Sequence, residues 1–139
     1  MSCVFCRIVA GEVPAQVIYE DEWVLAFLDF RPLNAGHTLV IPKAHVERLS
    51  ELPVELCGPL LAAASRVARA VGPALGAAGI NLVVNDGRAA GQAVPHLHLH
   101  LVPRFPGDGG GFLHSILPVR RGLDLPEIAR KLRDEIPRS

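Results

Sequence analysis

The sequence predicts an α+β domain with a mainly antiparallel sheet, and three observations carry that reading. The run His96-Leu97-His98-Leu99-His100-Leu101-Val102 alternates with period two, the mark of a β-strand, and four other short runs are rich in β-formers. Between them the period changes: Leu52, Leu56, Leu60, Ala63, Val67 and Val71 recur at three- and four-residue steps, one apolar stripe of a long helix. At the end Asp124-Leu125-Pro126-Glu127 resembles a capping box opening a last helix, with its stripe on Leu125, Ile128, Ala129, Leu132 and Ile136.

Taken in order, Cys3 to Gly11 reads as a turn and a short helix. Val17–Glu20 and Trp23–Asp29 are β-rich and parted by Asp21-Glu22, a hairpin signal. Arg31-Pro32-Leu33-Asn34-Ala35-Gly36 is a loop by its Pro, Asn and Gly content. His37–Ile41 is a third strand, which Pro42 should stop because proline cannot donate to a ladder. For the long helix, Ser50 is the expected N-cap and Pro53 suits the first turn. A kink or broken turn is expected at Gly58-Pro59, and an end at Gly72-Pro73 and Gly76. Ile80–Val84 and His96–Val102 are the remaining strands, joined by the polar loop from Asn85 to Gln92. Gly107–Gly111 is a flexible turn without the spacing of a phosphate loop.

The 139 residues suit a single domain, 1–139, and half of them are hydrophobic, enough for a real core. Fourteen basic residues balance fourteen acidic ones, so no broad field draws nucleic acid or an anionic membrane, and an anionic ligand must be caught locally. The N-terminus lacks the apolar stretch of a signal peptide, which points to the cytoplasm. Three cysteines there do not make a disulfide framework.

Two constellations carry chemistry. In a strand, His96, His98 and His100 share one face with Cα atoms about 6.5 Å apart, while the leucines face a core. A neutral imidazole is a competent nucleophile, and neighbours on both sides can fix the tautomer of the middle one, His98. The loop before it offers amide donors and N–H groups suited to charge on a phosphoryl centre. The second constellation is the C-x-x-C pair Cys3 and Cys6 with Lys43-Ala44-His45 further on. Zinc binding, redox chemistry and two packed thiols are all compatible with it. Cys57 reads as a small apolar residue of the helix.

Over residues 3–104 the chain resembles the histidine-triad (HIT) nucleotide-binding hydrolases and transferases. The likeness rests on Phe5-Cys6-Arg7-Ile8, on Trp23-Val24-Leu25-Ala26-Phe27-Leu28-Asp29, on Gly36-His37 through Pro42-Lys43-Ala44-His45, and on Gly91-Gln92-Ala93-Val94-Pro95-His96-Leu97-His98-Leu99-His100-Leu101. The resemblance implies a five-stranded antiparallel sheet with one long helix, a short N-terminal helix and a C-terminal helix, in a homodimer built through the long helix and a neighbouring strand. It implies attack on the α-phosphorus of a purine nucleotide derivative such as an AMP derivative, by way of a nucleotidyl-histidine. His98 matches the nucleophile, His100 and His37 match groups that polarise or orient, and with His96 they form the candidate catalytic set. Asn85 and Gln92 match phosphate contacts, Asp29 the carboxylate on the ribose, and Phe5, Ile8 and Phe27 the slot for the base. In the longer bacterial members the resemblance places a structural zinc ion on Cys3, Cys6, His45 and His96.

Two departures bear on substrate. Ala93 stands where eukaryotic phosphoramidases of the family carry a serine beside the leaving group. Residues 105–139 form a C-terminal extension, in which Phe112, His114 and Ile116 either reach the leaving-group side or serve only to pack the last helix onto the sheet. Two other function classes compete: a catalytic zinc held directly by an H-x-H strand, and a nucleotide-binding regulatory module with incidental hydrolysis.

Overall fold

Asp21 makes the first tight turn. Its Oδ1 accepts from the backbone N–H groups of Trp23 and Val24, each at 2.8 Å, and its Oδ2 accepts from the Tyr19 hydroxyl at 2.7 Å. A short carboxylate bonding the backbone two and three residues on reverses the chain. It joins β1 (Val17–Glu20) to β2 (Val24–Leu28) as the expected hairpin. The computed structural model describes residues 3–112 and 115–137. The chain divides into two compact units, residues 1–108 and 109–139.

In the first unit β3 (Thr38–Pro42), β4 (Gly79–Val84) and β5 (Leu99–Arg104) complete a five-stranded sheet in the order β1-β2-β3-β5-β4, antiparallel at every step. The period-two pattern sorts its two faces. Val24, Ala26, Val40, Leu97, Leu99 and Leu101 pack under Leu60, Ala63, Ala64, Val67 and Val71 of the long helix α2 (Val54–Leu75). Leu25, Phe27, Leu39 and Ile41 point the other way, where Phe5 and Ile8 of the short helix α1 (Val4–Val9) cover them. His100 pairs with Leu39 in the ladder and so shares that second face. One sheet therefore has a helix-covered side and a side that carries α1 and the histidines.

The second unit holds α3 (Leu125–Glu135), capped by Asp124, whose Oδ1 accepts from the Glu127 N–H at 3.2 Å. The box is half made, because the Glu127 carboxylate bonds Arg130 instead. Leu125, Leu132 and Ile136 of its stripe are exposed. The unit boundary falls four residues beyond position 104 for a visible reason: Asp108 accepts from the Arg104 guanidinium and from the Phe105 N–H, tying 105–108 back to β5. His114 lies outside the described residues.

Several expectations need correction. His96 and His98 precede β5, which begins only at Leu99, so they stand on a held but unladdered segment. His37 likewise sits just before β3, and Pro42 remains inside β3, opposite Val24, because its place needs no donor. Ser50 does not cap α2: residues 49–51 form a single 3₁₀ turn, and Pro53 precedes the helix without a side-chain cap. α2 runs continuously through Pro59 and Pro73 to Leu75. Pro59 is only six residues in, where one lost backbone bond is outweighed by the buried stripe. Gly76, in the left-handed region, ends the helix with its N–H on the Gly72 carbonyl.

Candidate active site and metal centre

The site starts from His96, which is fully buried. Its Nε2–H donates to the Pro42 carbonyl at 2.8 Å, since a carbonyl can only accept. In the neutral ring the Nδ1 lone pair is then left facing Cys3 Sγ at 3.5 Å, Cys6 Sγ at 3.6 Å and His45 Nδ1 at 3.2 Å. Cys6 Sγ is 3.2 Å from His45 Nδ1. The four donor atoms lie within 4.8 Å of one another.

Those separations test the fit of a metal. For tetrahedral zinc with Zn–S about 2.3 Å and Zn–N about 2.0 Å, the donor edges are roughly 3.5 Å for S···N and 3.3 Å for N···N. The observed edges agree. The outer N–H of His96 on a backbone carbonyl is also the usual support of a metal-bound imidazole. Burial and the neighbouring Cys3 thiol push the Cys6 thiol up, a penalty that a cation between them would reverse. The residues fit a closed Cys2His2 centre.

Two residues on, His98 has a different environment. Its Nδ1–H donates to the His96 carbonyl at 2.6 Å, so in the neutral ring the lone pair sits on Nε2. Nε2 has no hydrogen-bond partner among the described residues, and no fully buried polar atom there lacks one, so this nitrogen opens to the surface. Phe5 packs edge-on against the His98 ring, with centroids 5.1 Å apart and planes at 89°. Phe5 lies between Cys3 and Cys6 on the chain, so α1 joins the thiol cluster to the His98 ring.

His100 is set by a third arrangement. The Leu33 N–H donates to His37 Nδ1 at 3.0 Å, which leaves the proton of His37 on Nε2. That Nε2–H donates to His100 Nδ1 at 3.0 Å, so His100 carries its own proton on Nε2. Asp29 Oδ2 stands 3.5 Å from His37 Nε2. Burial lowers both rings, opposed at His37 by Asp29, and burial with the facing imidazoles brings His100 down to about 4. Both are neutral at pH 7. Gly36 makes this geometry possible: its φ is +85°, and a Cβ there would run into Leu75 and Pro103, so only glycine turns the chain into His37.

The remaining expected residues divide. The Asn85 side chain is half-buried with no hydrogen bond among the described residues, so its amide is available to a ligand. Gln92 is spent: its Oε1 accepts from the Gly87 N–H at 2.8 Å and its Nε2 donates to the carbonyls of Glu47 and Val94. It clamps the loop and has no group left for a phosphate. Asp29 Oδ1 accepts from the Arg31 N–H, leaving Oδ2 beside His37. Phe27 is fully buried beneath Phe5 and offers no surface to a base. Phe5 and Ile8 are also buried, and the Phe5 ring serves His98. His96 has both ring nitrogens engaged and acts on the site through its carbonyl.

Sequence reasoning missed the backbone groups that set the tautomers of His96, His98 and His37: the carbonyls of Pro42 and His96 and the N–H of Leu33. Only Leu33 left a trace, in the turn-forming Pro-Leu-Asn-Ala-Gly run before His37.

Comparison with known proteins shows the family and the fold. The HIT domain matches residues 10–107. A HIT-like protein of Methanocaldococcus jannaschii is 46% identical over 132 residues, covering 94% of this chain and 98% of the relative. A protein of Schizosaccharomyces pombe named adenosine 5′-monophosphoramidase is 42% identical, covering 75% of each chain. One of Arabidopsis thaliana named adenylylsulfatase is 42% identical over 73% of this chain and 52% of its own. Among solved structures, a HIT family protein of Bacillus subtilis superposes with a TM-score of 0.87 at 38% identity, covering 100% of both chains. A zinc-bound histidine triad family protein of Mycobacterium smegmatis superposes with a TM-score of 0.76 at 49% identity, covering 96% of this chain and 92% of that one.

Proposed function

The chain belongs to the HIT domain family, and on that premise we propose that it is a hydrolase or transferase of purine nucleotide derivatives that attacks the α-phosphate through His98. The observation that carries the reading is the opposed state of two neighbouring rings. His98 offers a lone pair on Nε2, while His100, with ring centroids 4.9 Å apart, offers a proton on Nε2. A phosphoryl group at this point meets a nucleophile and a donor to its oxygen together. As the Nε2–P bond forms, the leaving group departs with the bonding pair. The imidazole gains positive charge, which the His96 carbonyl stabilises through the Nδ1–H. Water then attacks phosphorus, the pair returns to Nε2, and a proton passes to solvent. In this reading Asn85, whose amide makes no hydrogen bond among the described residues, contacts the phosphate, and Asp29 holds the ribose. Relatives named for adenosine monophosphoramidase and adenylylsulfatase support an AMP derivative as substrate.

A zinc ion would be held by Cys3, Cys6, His45 and His96. Four protein ligands leave no open position, so it supplies a cross-link and no catalytic water. The zinc-bound relative supports zinc as the ion, and the convergence of Cys3, Cys6, His45 and His96, without His98 or His100, favours this reading over the open H-x-H centre. Reduced thiols suit a cytoplasmic site of action, and no helix among the described residues is long and apolar enough to cross a membrane.

A second copy is the partner proposed for β4. This edge strand exposes Ile80, Leu82 and Val83, an apolar edge of the kind that proteins cover. Pairing there with α2 alongside gives a two-fold dimer. Light scattering should report about twice the 14.9 kDa chain mass at micromolar concentration. A stable monomer would remove the dimer from the account.

The test of function is a substrate panel of adenosine phosphoramidate, dinucleoside polyphosphates and adenylyl sulfate, compared by kcat/KM. At least one should release AMP, and His98→Ala should stop it. If no AMP is released from any of them, the reading fails.

A further inference from the structure

The thiol–imidazole cluster is buried on one side and open on the other. Cys3 and His96 are buried, Cys6 is half-buried and His45 is exposed. A purely structural centre has no use for such an opening, which puts Cys6 within reach of a small solute.

The two cysteines are also spaced to join each other. Cys3 immediately precedes α1, and the Arg7 N–H donates to its carbonyl at 3.0 Å, so Cys3 and Cys6 span one closed helical turn. Three residues of helix set their Cα atoms about 5 Å apart, inside the roughly 4.4–6.8 Å that disulfides bridge. Both Sγ atoms are free and face His96 Nδ1, at 3.5 and 3.6 Å, so they point to one place. The remaining cysteine, Cys57, stands on α2 on the opposite side of the sheet and cannot compete within the chain.

The pair is tied to the nucleophile by two routes. His96 shares the cluster through its ring, and its carbonyl takes the Nδ1–H of His98 at 2.6 Å. Phe5 lies between the two cysteines on α1 and packs edge-on against the His98 ring, centroids 5.1 Å apart. A change at the sulfurs reaches His98 through both.

We infer that Cys3 and Cys6 form a peroxide-sensitive switch: oxidation to a disulfide releases the zinc and unseats His98, and reduction restores both. The inference rests on the zinc site proposed above. Bound zinc would keep both sulfurs as thiolates, the form that a peroxide oxidises. The more open Cys6 sulfur attacks one oxygen of hydrogen peroxide, the O–O bond breaks, and hydroxide leaves with its electron pair. The Cys3 sulfur then attacks the Cys6 sulfur, the S–O bond breaks, and a second hydroxide leaves. Each sulfur has lost one electron, the peroxide has gained two, and the hydroxides take protons from solvent. Two imidazoles remain of the four ligands, too few to keep zinc against a chelator.

The test uses zinc-loaded Cys57→Ser, in which Cys3 and Cys6 are the only thiols, titrated with hydrogen peroxide. Released zinc is read with a chelating dye, the thiols by mass of the tryptic peptide that ends at Arg7, and the His98 ring by its NMR signals. One zinc should leave per disulfide formed, the peptide should become lighter by two hydrogens, and the His98 signals should move. kcat should fall about tenfold or more, the scale of losing the outer support of a site. A thiol reductant with added zinc should return all four. Sulfinic or sulfonic acid in place of a disulfide, zinc retained once the disulfide has formed, or His98 signals that stay in place would each overturn the inference. If the fresh protein holds no zinc, the metal reading fails by itself. A Cys3–Cys6 disulfide that moves the His98 signals then upholds the switch without its ion, and a pair that stays reduced removes it. If no substrate is turned over, the transfer reading fails, and the zinc, mass and NMR readouts still decide the switch.

Discussion

Two histidine clusters share one side of the sheet and are built on opposite rules. At His96 and His45 the nitrogen lone pairs and two sulfurs converge on one point. At His37 and His100 donors and lone pairs alternate: the Leu33 N–H donates to His37, and His37 donates to His100. The side chains are the same; the backbone partners differ. A carbonyl beneath His96 removes its outer proton from the centre and creates a ligand. An N–H beside His37 claims a lone pair and starts a relay. His98 stands between the two clusters, taking its orientation from the carbonyl of the first and, in the proposed reaction, its proton-donating neighbour from the second. In each case one backbone group settles which ring nitrogen carries the proton, and the proposed roles of ligand, relay and nucleophile follow from that.

The comparison breaks most visibly at His98. His98→Ala should lower kcat by about a thousandfold or more, because the attacking atom is gone. Circular dichroism should remain that of the wild type, as the ring packs only against Phe5 and its neighbours. Turnover within tenfold of wild type would place the nucleophile elsewhere.

The converging cluster predicts loss of metal and stability together. Elemental analysis of fresh protein should give about one zinc per chain, and Cys6→Ser should release it. A structural zinc site contributes several kcal/mol, so Tm should drop by about 10 °C or more. Unchanged metal content and Tm would leave the cluster as two thiols packed on imidazoles.

The alternating cluster predicts a kinetic effect without a metal effect. His37→Phe removes the donor to His100 Nδ1 and frees that ring to turn, costing roughly 10- to 100-fold in kcat. Zinc content should be that of the wild type, which separates the two clusters in one variant. A loss of zinc in His37→Phe would show them to be one unit.

Much of this was legible in the sequence, and the parts that were not share a cause. Alternation showed that His96, His98 and His100 face one way and their leucines the other. It could not show that β3 stops pairing at Val40 opposite Leu99, which leaves His96 and His98 outside the ladder. The C-x-x-C pair and His45 were visible as ligand types, yet only the folded chain brings His96 to them. Phe27 carried the right residue type for a base slot, but the depth of the core seals it. Gln92 had the right chemistry for a phosphate, and three backbone groups consume it. Residue type is written in the sequence, while the partner that uses up a donor or a lone pair comes from tertiary contact.

The smallest effect expected is on pH dependence. His100 titrates near 4 when folded, below its ordinary 6.5, mainly through burial. Between those values the unfolded chain binds a proton that the folded chain refuses, so this contribution to stability is whole above pH 6.5 and is lost as pH falls toward 4. His100→Gln should flatten the fall in Tm over that window by a few degrees. Parallel curves for variant and wild type would mean that the ring is not held neutral by the fold.

The central claim is that backbone bonding singles out Nε2 of His98 as the attacking atom. Rapid alkaline quenching of a turnover mixture containing substrate labelled in the adenylyl group, followed by peptide mapping, tests it directly. The label should appear on the peptide spanning 95–104 and be assigned to His98 by fragmentation. Label on His96 or His100, or a chain that turns over substrate with no adenylyl group ever attached, would contradict the account.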